Sequence, residues 1–293
     1  MTEELGLAVV YEDADVMVLN KPAGVVVNRS QTWSEATIQD WLALRQQEVM
    51  ETEAGQTLLP INYTDEFGTA AEIFKERLGV AHRLDKETSG ALLVAKNPGA
   101  LINLLDQFKK RIVHKSYLAL VHGVLSIKED RLNLPLGRRG SNRLRWAVRP
   151  DGREAITDYR VIQEWRQINL EKLWSKLVEV TERGRVGGSG GRLNKQWSKK
   201  VIENLYQGFS LIECRPKTGR THQIRVHLAH LKHPLVGDEA YGSAKKIRLD
   251  QYWCPRHFLH AAEIQFVQPR SGELVKVTVE LPADLRTVLG YLE

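Results

Sequence analysis

The stretch His82-Arg83-Leu84-Asp85-Lys86-Glu87-Thr88-Ser89-Gly90 places a carboxylate among cations and hydroxyls, directly before the apolar run Ala91-Leu-Leu-Val-Ala95. An apolar run of this length predicts a buried strand, and the Thr-Ser-Gly end of the first stretch predicts a tight turn leading into it. Upstream, residues 7–22 indicate a hairpin of two short strands joined by an acidic turn. Residues 21–27 indicate a turn followed by a third strand.

Further strands and a few helices follow along the chain. Apolar spacing predicts helices over residues 35–49, 99–111 and 221–232. Many strands, few helices and no regular βαβ alternation predict an α+β fold with a mixed, mostly antiparallel central sheet and flanking helices. The other predicted strands are 117–122, 155–164, 209–215, 258–267 and 273–281.

Length and composition exclude several classes of protein. The chain has 293 residues, 42% of them hydrophobic, which is enough to bury a core without disulfides or a structural metal. Its two cysteines, Cys214 and Cys254, indicate reduced packing thiols. No uncharged apolar run approaches the ~18 residues that cross a bilayer, and the acidic start differs from a signal peptide. We therefore expect a cytoplasmic protein, or one in an organelle matrix after removal of a transit peptide.

The net charge of +6 conceals a strong asymmetry. Residues 1–77 carry 14 acidic and five basic side chains, whereas the remainder carries a net +15. Two stretches, 137–150 and 183–200, concentrate arginine and lysine without any acid, and each contains a tryptophan. Clustered cations with an aromatic are typical of surfaces that bind nucleic acid, although solvated loops with small satellite cores explain them too. Arg143 and Arg145 are candidate nucleic-acid contacts in the first stretch.

Asp85 has a structural and a catalytic interpretation. An isolated aspartate in a turn usually satisfies backbone groups. A second polar segment, Thr218-Gly219-Arg220-Thr221-His222-Gln223-Ile224-Arg225-Val226-His227, follows a predicted strand and opens a predicted helix, with Thr221 as a candidate N-cap. An arginine from this segment could pair with Asp85 and keep it ionised. A basic helix start bound to ordinary surface carboxylates is the alternative.

Two further features have competing interpretations. Tyr117, at the head of a predicted strand, either packs in the core or stacks on a base. Four histidines lie at positions 222, 227, 230 and 233, but their spacing is not the i, i+4 pair that places two zinc ligands on one helix face. A metal site is therefore a minor alternative.

Taken together, these segments resemble the RluA-type pseudouridine synthases. His82–Gly90 resembles the signature of that family, Lys115-Ser-Tyr117-Leu-Ala-Leu-Val-His-Gly123 its second motif, and Thr218–Ala229 with Pro234-Leu-Val-Gly-Asp-Glu-Ala-Tyr-Gly242 its third. Leu259 to Phe266 resembles its last core strand, and Tyr11 to Val26 its beginning. The resemblance implies the pseudouridine synthase fold, with a catalytic cleft across the sheet, and an isomerase that converts uridine in RNA to pseudouridine.

The resemblance also implies roles for individual residues. By motif position, Asp85 is the catalytic carboxylate, Arg225 the guanidinium that pairs with it, and Tyr117 the aromatic that stacks on the flipped ring. Attack on C1′, attack on C6 and removal of the C2′ proton all remain open for Asp85. Arg83 is implied to fill the vacated base stack, and Ile264 to wall the uracil pocket. The other implied RNA contacts are Thr88, Arg220, Thr221, His222 and Gln223.

The sequence departs from the family pattern in three places. The catalytic sequence begins by residue 8, so we expect no N-terminal S4 module and a single catalytic domain over residues 1–293. Residues 30–77 form an acidic, divergent segment that should face away from RNA. Residues 166–206 form a basic, Gly-rich insertion, and we expect 183–200 to bind the RNA backbone and to be disordered without it.

Three hypotheses follow. The first is an RNA pseudouridine synthase that needs neither cofactor nor metal, acts on ribosomal or transfer RNA, and is monomeric. The second is a non-catalytic RNA-binding or ribosome-assembly protein on the same fold. The third is a metal-dependent hydrolase that uses the histidine cluster.

Overall fold

The computed structural model describes residues 5–30, 33–46, 64–65, 67–140, 142–166, 169, 171–176 and 198–292. Most of the predicted RNA-binding stretch 183–200, and much of the acidic segment, lie outside these residues. The chain divides into two compact units, 1–117 with 260–280 and 118–259 with 281–293. The prediction of one catalytic domain stays a prediction. No helix of the described residues is long and apolar enough to span a membrane.

The elements follow one another in an α+β order. In chain order they are β1 (Ala8–Glu12), β2 (Val16–Lys21), α1 (Ile38–Gln46), β3 (Thr64–Asp65), β4 (Gly68–Thr69), α2 (Ala70–Arg77), β5 (Ser89–Ala95), α3 (Pro98–Lys109), β6 (His114–His122), β7 (Glu129–Asn133), β8 (Leu136–Arg139), β9 (Asn142–Val148), β10 (Ile156–Trp165), α4 (171–176), α5 (Lys199–Leu205), β11 (Phe209–Pro216), α6 (Gln223–His230), α7 (Ala244–Asp250), β12 (Leu259–Val267), β13 (Leu274–Thr278) and α8 (Ala283–Gly290).

The first unit is organised around β5, whose seven residues are all buried. It pairs antiparallel with β2, from Val16 opposite Ala95 to Lys21 opposite Gly90, and parallel with β12. Strand β1 adds to β2, and β13 to β12, both antiparallel. Because β5 has neighbours on both sides and packs on both faces, it reads as a continuous apolar run in the sequence.

Helices α2 and α3 of this unit begin at side-chain caps. Thr69 and Glu72 form a capping box at the start of α2. Asn97 caps α3 by accepting the N–H of Ala100 at 2.8 Å, and Pro98 occupies the first helical position. Ile73 and Phe74 of α2 and Leu101 and Leu104 of α3 then join the core of the unit.

The second unit is built on antiparallel strands and a separate hairpin. Strand β10 pairs with β11 on one side and with β7 on the other, and β8 pairs with β9. Its core combines strand residues with residues of α5, α7 and α8, among them Phe209, Leu249 and Val288. These strand pairs, like those of β1 with β2 and of β12 with β13 in the first unit, are antiparallel, as predicted.

The third predicted strand is wrong. Residues 25–27 form no strand, because their carbonyls have other partners. Val26 and Val27 accept the N–H groups of Ile38 and Gln39 at the start of α1, and Val25 accepts a proton from the Lys21 ammonium. These bonds occupy carbonyls that a ladder would need.

Gly90 of β5 lies opposite Ala261 of β12. Its φ is +114°, and a Cβ at this position would lie 2.2 Å from the carbonyl oxygen of Ala261. Only glycine fits this conformation and this distance. The second position of β5 therefore requires glycine for two independent reasons.

We expect Gly90→Ala to lower the free energy of unfolding by about 3 kcal/mol or more, because the neighbouring backbone must move. Urea unfolding measures this loss. Gly272 is the matched control: its φ is +72° and nothing lies within 4 Å of its virtual Cβ. Gly272→Ala should cost only about 1 kcal/mol, the penalty of the left-handed backbone alone. Equal losses in the two variants would contradict the steric argument.

Candidate active site

Asp85 lies on a loop of the first unit that leads from α2 into β5. The carboxylate residue is half-buried, whereas Arg83 and Lys86 are exposed. The Thr88 N–H donates to the carbonyl of Asp85 at 3.0 Å, which closes a turn. The Gly24 N–H donates to the carbonyl of Lys86, also at 3.0 Å. The backbone of Asp85 and of the residue that follows it is therefore fixed.

A fully buried ammonium group strengthens this arrangement. Lys21 is 0% exposed, and its Nζ donates to the carbonyls of Pro22, Val25 and Lys86, each at 2.8 Å. An ammonium has three protons to donate, and a buried cation requires such partners. Lys21 thus connects Lys86, the residue that follows Asp85, to the segment Pro22–Val25 by hydrogen bonds.

Two histidines fix the ends of the Asp85 loop. Burial, with the charge of Lys115, lowers the pKa of His82 to about 3, so its ring is neutral and Nε2 accepts the Leu93 N–H at 2.9 Å. His260 bonds the Val279 carbonyl through Nε2 at 3.1 Å. A carbonyl only accepts, so Nε2 carries the proton and Nδ1 accepts the Ser89 hydroxyl at 2.9 Å.

Tyr117 belongs to the same unit as Asp85 and interacts with it electrostatically. Burial, and then the charge of Asp85, raise the pKa of the Tyr117 hydroxyl above its usual value. The hydroxyl is therefore protonated at neutral pH. The ring is largely buried, as the core interpretation expects, and its stacking on a base stays a prediction.

The segment Thr218–His227 is organised by Gln223, which is buried. Its Oε1 accepts the Thr218 hydroxyl at 2.7 Å and the Arg220 N–H at 3.0 Å. Its Nε2 donates to the Ile156 carbonyl and the Thr157 hydroxyl, both at 2.9 Å. Gln223 therefore attaches the helix start to β10, and its predicted contact with RNA stays a prediction.

The N-cap of α6 differs from the prediction. Thr221 is not the cap; His222 occupies that position with φ 55° and makes no capping hydrogen bond through its side chain. The left-handed backbone turns the ring of His222 toward Tyr241, whose hydroxyl lies 2.9 Å from Nδ1. Thr221 itself is exposed, and Arg220 donates through Nε to the Glu154 carbonyl at 3.0 Å.

Arg225 is held by Asp238, a carboxylate that is not among the predicted site residues. Its Nε and Nη2 donate to Oδ2 and Oδ1 of Asp238, each at 2.8 Å, and its guanidinium carbon lies 5.2 Å from the centre of the Tyr241 ring. Burial raises the pKa of Asp238, but the hydrogen bonds and charge of Arg225 outweigh this effect and the net pKa is lowered. Both groups are therefore charged in a buried, bidentate pair.

Asp238 lies in the stretch Pro234–Gly242, which resembles part of the family's third motif. Nothing in the sequence indicates that its partner is Arg225. The structure brings Asp85 and Tyr117 together in the first unit, and Arg225 and His222 together with Tyr241 in the second. The predicted pair of Asp85 with Arg225 stays a prediction.

Three of the predicted contact residues are buried in the structure. Thr88 and Ile264 are 2% and 1% exposed, and Ile264 packs in the core of the first unit with Leu93 and Phe266. Their roles toward RNA, like that of Gln223, stay predictions.

The hairpin of β8 and β9 presents the first basic stretch. Arg138 lies with its guanidinium 5.9 Å from the centre of the Trp146 ring. Arg149 pairs with Asp151 at 2.7 Å, whereas no acidic side chain within the described residues pairs with Arg139 or Arg145. The side chain of Arg143 lies outside the described part of the structure.

The histidines of the metal alternative have separate hydrogen-bond partners. His227 bonds the Thr157 hydroxyl and the Leu134 carbonyl, and His233 bonds the His122 carbonyl. In the part of the chain that the structure describes, no three histidine, cysteine or acidic side chains group as metal ligands. The geometry therefore gives the hydrolase hypothesis no support.

Comparison with known proteins agrees with this fold and these motifs. Residues 15–230 match the family model described as RNA pseudouridylate synthase. The ribosomal large subunit pseudouridine synthase D of Xanthomonas campestris is 32% identical over 298 residues, covering 99% of this chain and 70% of that protein. The RNA pseudouridine synthase YlyB of Bacillus subtilis, whose name marks it as uncharacterized, is 30% identical over 292 residues, covering 100% and 75%.

Solved structures give the same result. The human RNA pseudouridylate synthase domain containing 1 superposes with a TM-score of 0.59 at 25% identity, covering 94% of this chain and 84% of that one. The human domain containing 4 has a TM-score of 0.61 at 18% identity and supports the fold alone. The chain therefore belongs to the RNA pseudouridine synthase family. The predicted family, fold class and isomerase activity on RNA are confirmed, and the non-catalytic alternative is disfavoured.

Proposed function

We propose that this enzyme modifies specific uridines in large-subunit ribosomal RNA, with Asp85 as the catalytic carboxylate. The reaction breaks the N1–C1′ bond, turns the uracil and joins C5 to C1′; C5 then loses its proton and N1 gains one, so no atoms are exchanged overall. The observation that carries the assignment is the half-buried Asp85 on a fixed loop, close enough to Tyr117 for its charge to raise the pKa of the hydroxyl.

The loop supports this role because positioning is a large part of catalysis. A carboxylate that attacks carbon or removes a proton must be held near its target. Lys21 and Gly24 hold the carbonyl of Lys86, and Thr88 holds that of Asp85. The uridine must leave its stack to reach such a group, with the Tyr117 ring as its stacking partner and Arg83, which is exposed, filling the gap in the RNA.

The choice of ribosomal RNA rests on the name of the Xanthomonas relative. The test is to map pseudouridines across total RNA from cells with and without the gene. We expect one or a few positions in large-subunit RNA to revert to uridine. If pseudouridines were lost only from transfer RNA, the substrate would be transfer RNA and not ribosomal RNA. An unchanged map would contradict the proposal.

We further propose that the enzyme works as a monomer in the cytoplasm. Burial raises the pKa of both thiols, Cys214 and Cys254, which agrees with unreactive cysteines in a reducing compartment. Sedimentation at micromolar concentration should give a single species of 33.3 kDa. A stable dimer would contradict the proposal of a monomer.

The hairpin provides a test of RNA binding. Arg139 and Arg145 have no acidic partner among the described residues, so their charges are available for phosphates. Each phosphate contact contributes about 0.7–0.9 to the slope of log affinity against log salt. The double variant Arg139→Gln/Arg145→Gln should therefore bind RNA more weakly and lower that slope by about 1–2.

The control removes the same number of charges elsewhere in the second unit. Arg131 and Arg160 are exposed but pair with Asp158 and Glu213 at 2.7 and 3.0 Å. Arg131→Gln/Arg160→Gln should leave the slope nearly unchanged. If both double variants changed the slope equally, binding would reflect net charge and not the hairpin.

A further inference from the structure

A carboxylate is buried in the core of the second unit, away from any role assigned so far. Asp250, the last residue of α7, is 1% exposed. Its Oδ2 accepts the His122 Nε2–H at 2.8 Å and the Gly237 N–H at 3.0 Å, and its Oδ1 accepts the Tyr206 hydroxyl at 2.6 Å. A carboxylate buried among apolar side chains needs donors of this kind.

The direction of the Tyr206 bond follows from its neighbours. The indole Nε1–H of Trp253 donates to the Tyr206 oxygen at 3.1 Å, so the hydroxyl proton is left for Asp250. Burial, and then the charge of Asp250, raise the pKa of Tyr206 well above its usual value, so the proton stays on the phenol. His122 stacks on Tyr206, with ring centres 5.5 Å apart.

The cluster of His122, Tyr206 and Asp250 contacts the turn that carries Asp238. Asp250 holds the peptide N–H of Gly237, the residue directly before Asp238. Gly237 has φ +73°, and a Cβ there would lie 2.3 Å from the Arg256 carbonyl oxygen. The turn is therefore confined to one backbone conformation, in which the Asp238 carboxylate faces Arg225.

We propose that His122, Tyr206 and Asp250 are positioning residues that hold the Gly237–Asp238 turn and, through the Asp238 carboxylate, the guanidinium of Arg225. This inference rests on the proposed catalytic role of Arg225. None of the three touches the reacting atoms; they act through one peptide bond and one ion pair. A purely structural cluster would stabilise the unit without affecting the guanidinium.

His122 gives the sharpest variants. His122→Phe keeps an aromatic ring but removes the donor to Asp250, whereas the amide nitrogen of His122→Gln replaces Nε2 as a donor. We expect His122→Phe and Asp250→Asn to lower kcat for tritium release from 5-[³H]uridine RNA by about 10- to 100-fold, with KM nearly unchanged. His122→Gln should restore kcat to within about threefold. Tyr206→Phe removes one donor to Asp250 and should lower kcat by an amount between those of His122→Phe and His122→Gln.

The control separates positioning from stability. Val288 of α8 is buried in the same core, and its aliphatic side chain has no hydrogen-bonding group to offer the turn. Val288→Ala should destabilise the unit by about 1–3 kcal/mol and leave kcat unchanged. All variants are assayed at a temperature at which urea unfolding shows them folded. If His122→Phe or Tyr206→Phe kept full kcat, as Val288→Ala does, the proposal would be overturned.

A second readout does not depend on activity. The Nε–H of Arg225, buried in its pair with Asp238, should give a ¹⁵N resonance protected from solvent exchange; Arg225→Lys identifies it by its disappearance. The resonance should shift and lose protection in Asp250→Asn but not in Val288→Ala. An unchanged resonance contradicts the positioning role. If Arg225→Lys itself retains full kcat, the proposed catalytic role of Arg225 fails, whatever the resonance shows.

Discussion

Replacing Asp85 by asparagine should reduce isomerisation by about 10³-fold or more while folding and RNA binding survive. The amide keeps the shape of the side chain but cannot attack carbon or accept a proton. The backbone of the loop keeps its own anchors in this variant, because Lys21, Gly24 and Thr88 hold the carbonyls of residues 85 and 86. Tritium release from 5-[³H]uridine RNA measures activity, and a filter-binding assay measures affinity.

The control for this variant is an aspartate elsewhere in the same unit. Asp106 pairs with Lys110 at 2.8 Å on the surface of α3. Asp106→Asn should leave both activity and affinity unchanged. A normal rate in Asp85→Asn would show that the catalytic carboxylate has been misassigned.

The second large effect concerns the ion pair of Arg225 and Asp238. Asp238→Ala leaves a buried guanidinium without its bidentate partner, since Arg225 is 7% and Asp238 0% exposed. Breaking a buried pair in this way costs about 3–5 kcal/mol. We expect this loss in urea unfolding, together with loss of isomerase activity.

A double variant separates the two effects. Arg225→Met/Asp238→Leu replaces both charges by apolar side chains, which should recover much of the lost stability but none of the activity. For comparison, Asp284 pairs with Arg256 at 2.7 Å but is 40% exposed, so Asp284→Asn should cost much less. Full activity in the double variant would mean that neither charge takes part in the reaction.

The strands with local signals could be predicted from the sequence. The hairpin of β1 and β2 follows from two short apolar runs around an acidic turn, and β5 follows from five consecutive apolar residues. The loop containing Asp85 was found because its polar residues directly precede β5. In each of these cases the residues that form the sequence pattern are the same residues that form the strand or the loop.

The errors arise where partners come from distant segments. Val25–Val27 has strand-like composition, but Lys21 and α1 occupy its carbonyls. Lys21 itself looks like a surface lysine in the sequence, and the three backbone carbonyls that its ammonium contacts, one of them 65 positions away at Lys86, explain its burial. The role of Asp238 could not be predicted, because it depends on the ion pair with Arg225, which lies 13 positions earlier in the chain. Hydropathy and spacing carry no information on such contacts.

The parallel pair of β5 and β12 has a consequence for synthesis on the ribosome. Ser89 and Gly90 complete their contacts only with His260 and Ala261, which are 171 positions further along the chain. Domains fold as their residues emerge, at about 5–20 residues per second. The nascent polypeptide therefore lacks a finished Asp85 loop until residues 260 and 261 have emerged from the ribosome, long after the loop itself has been made.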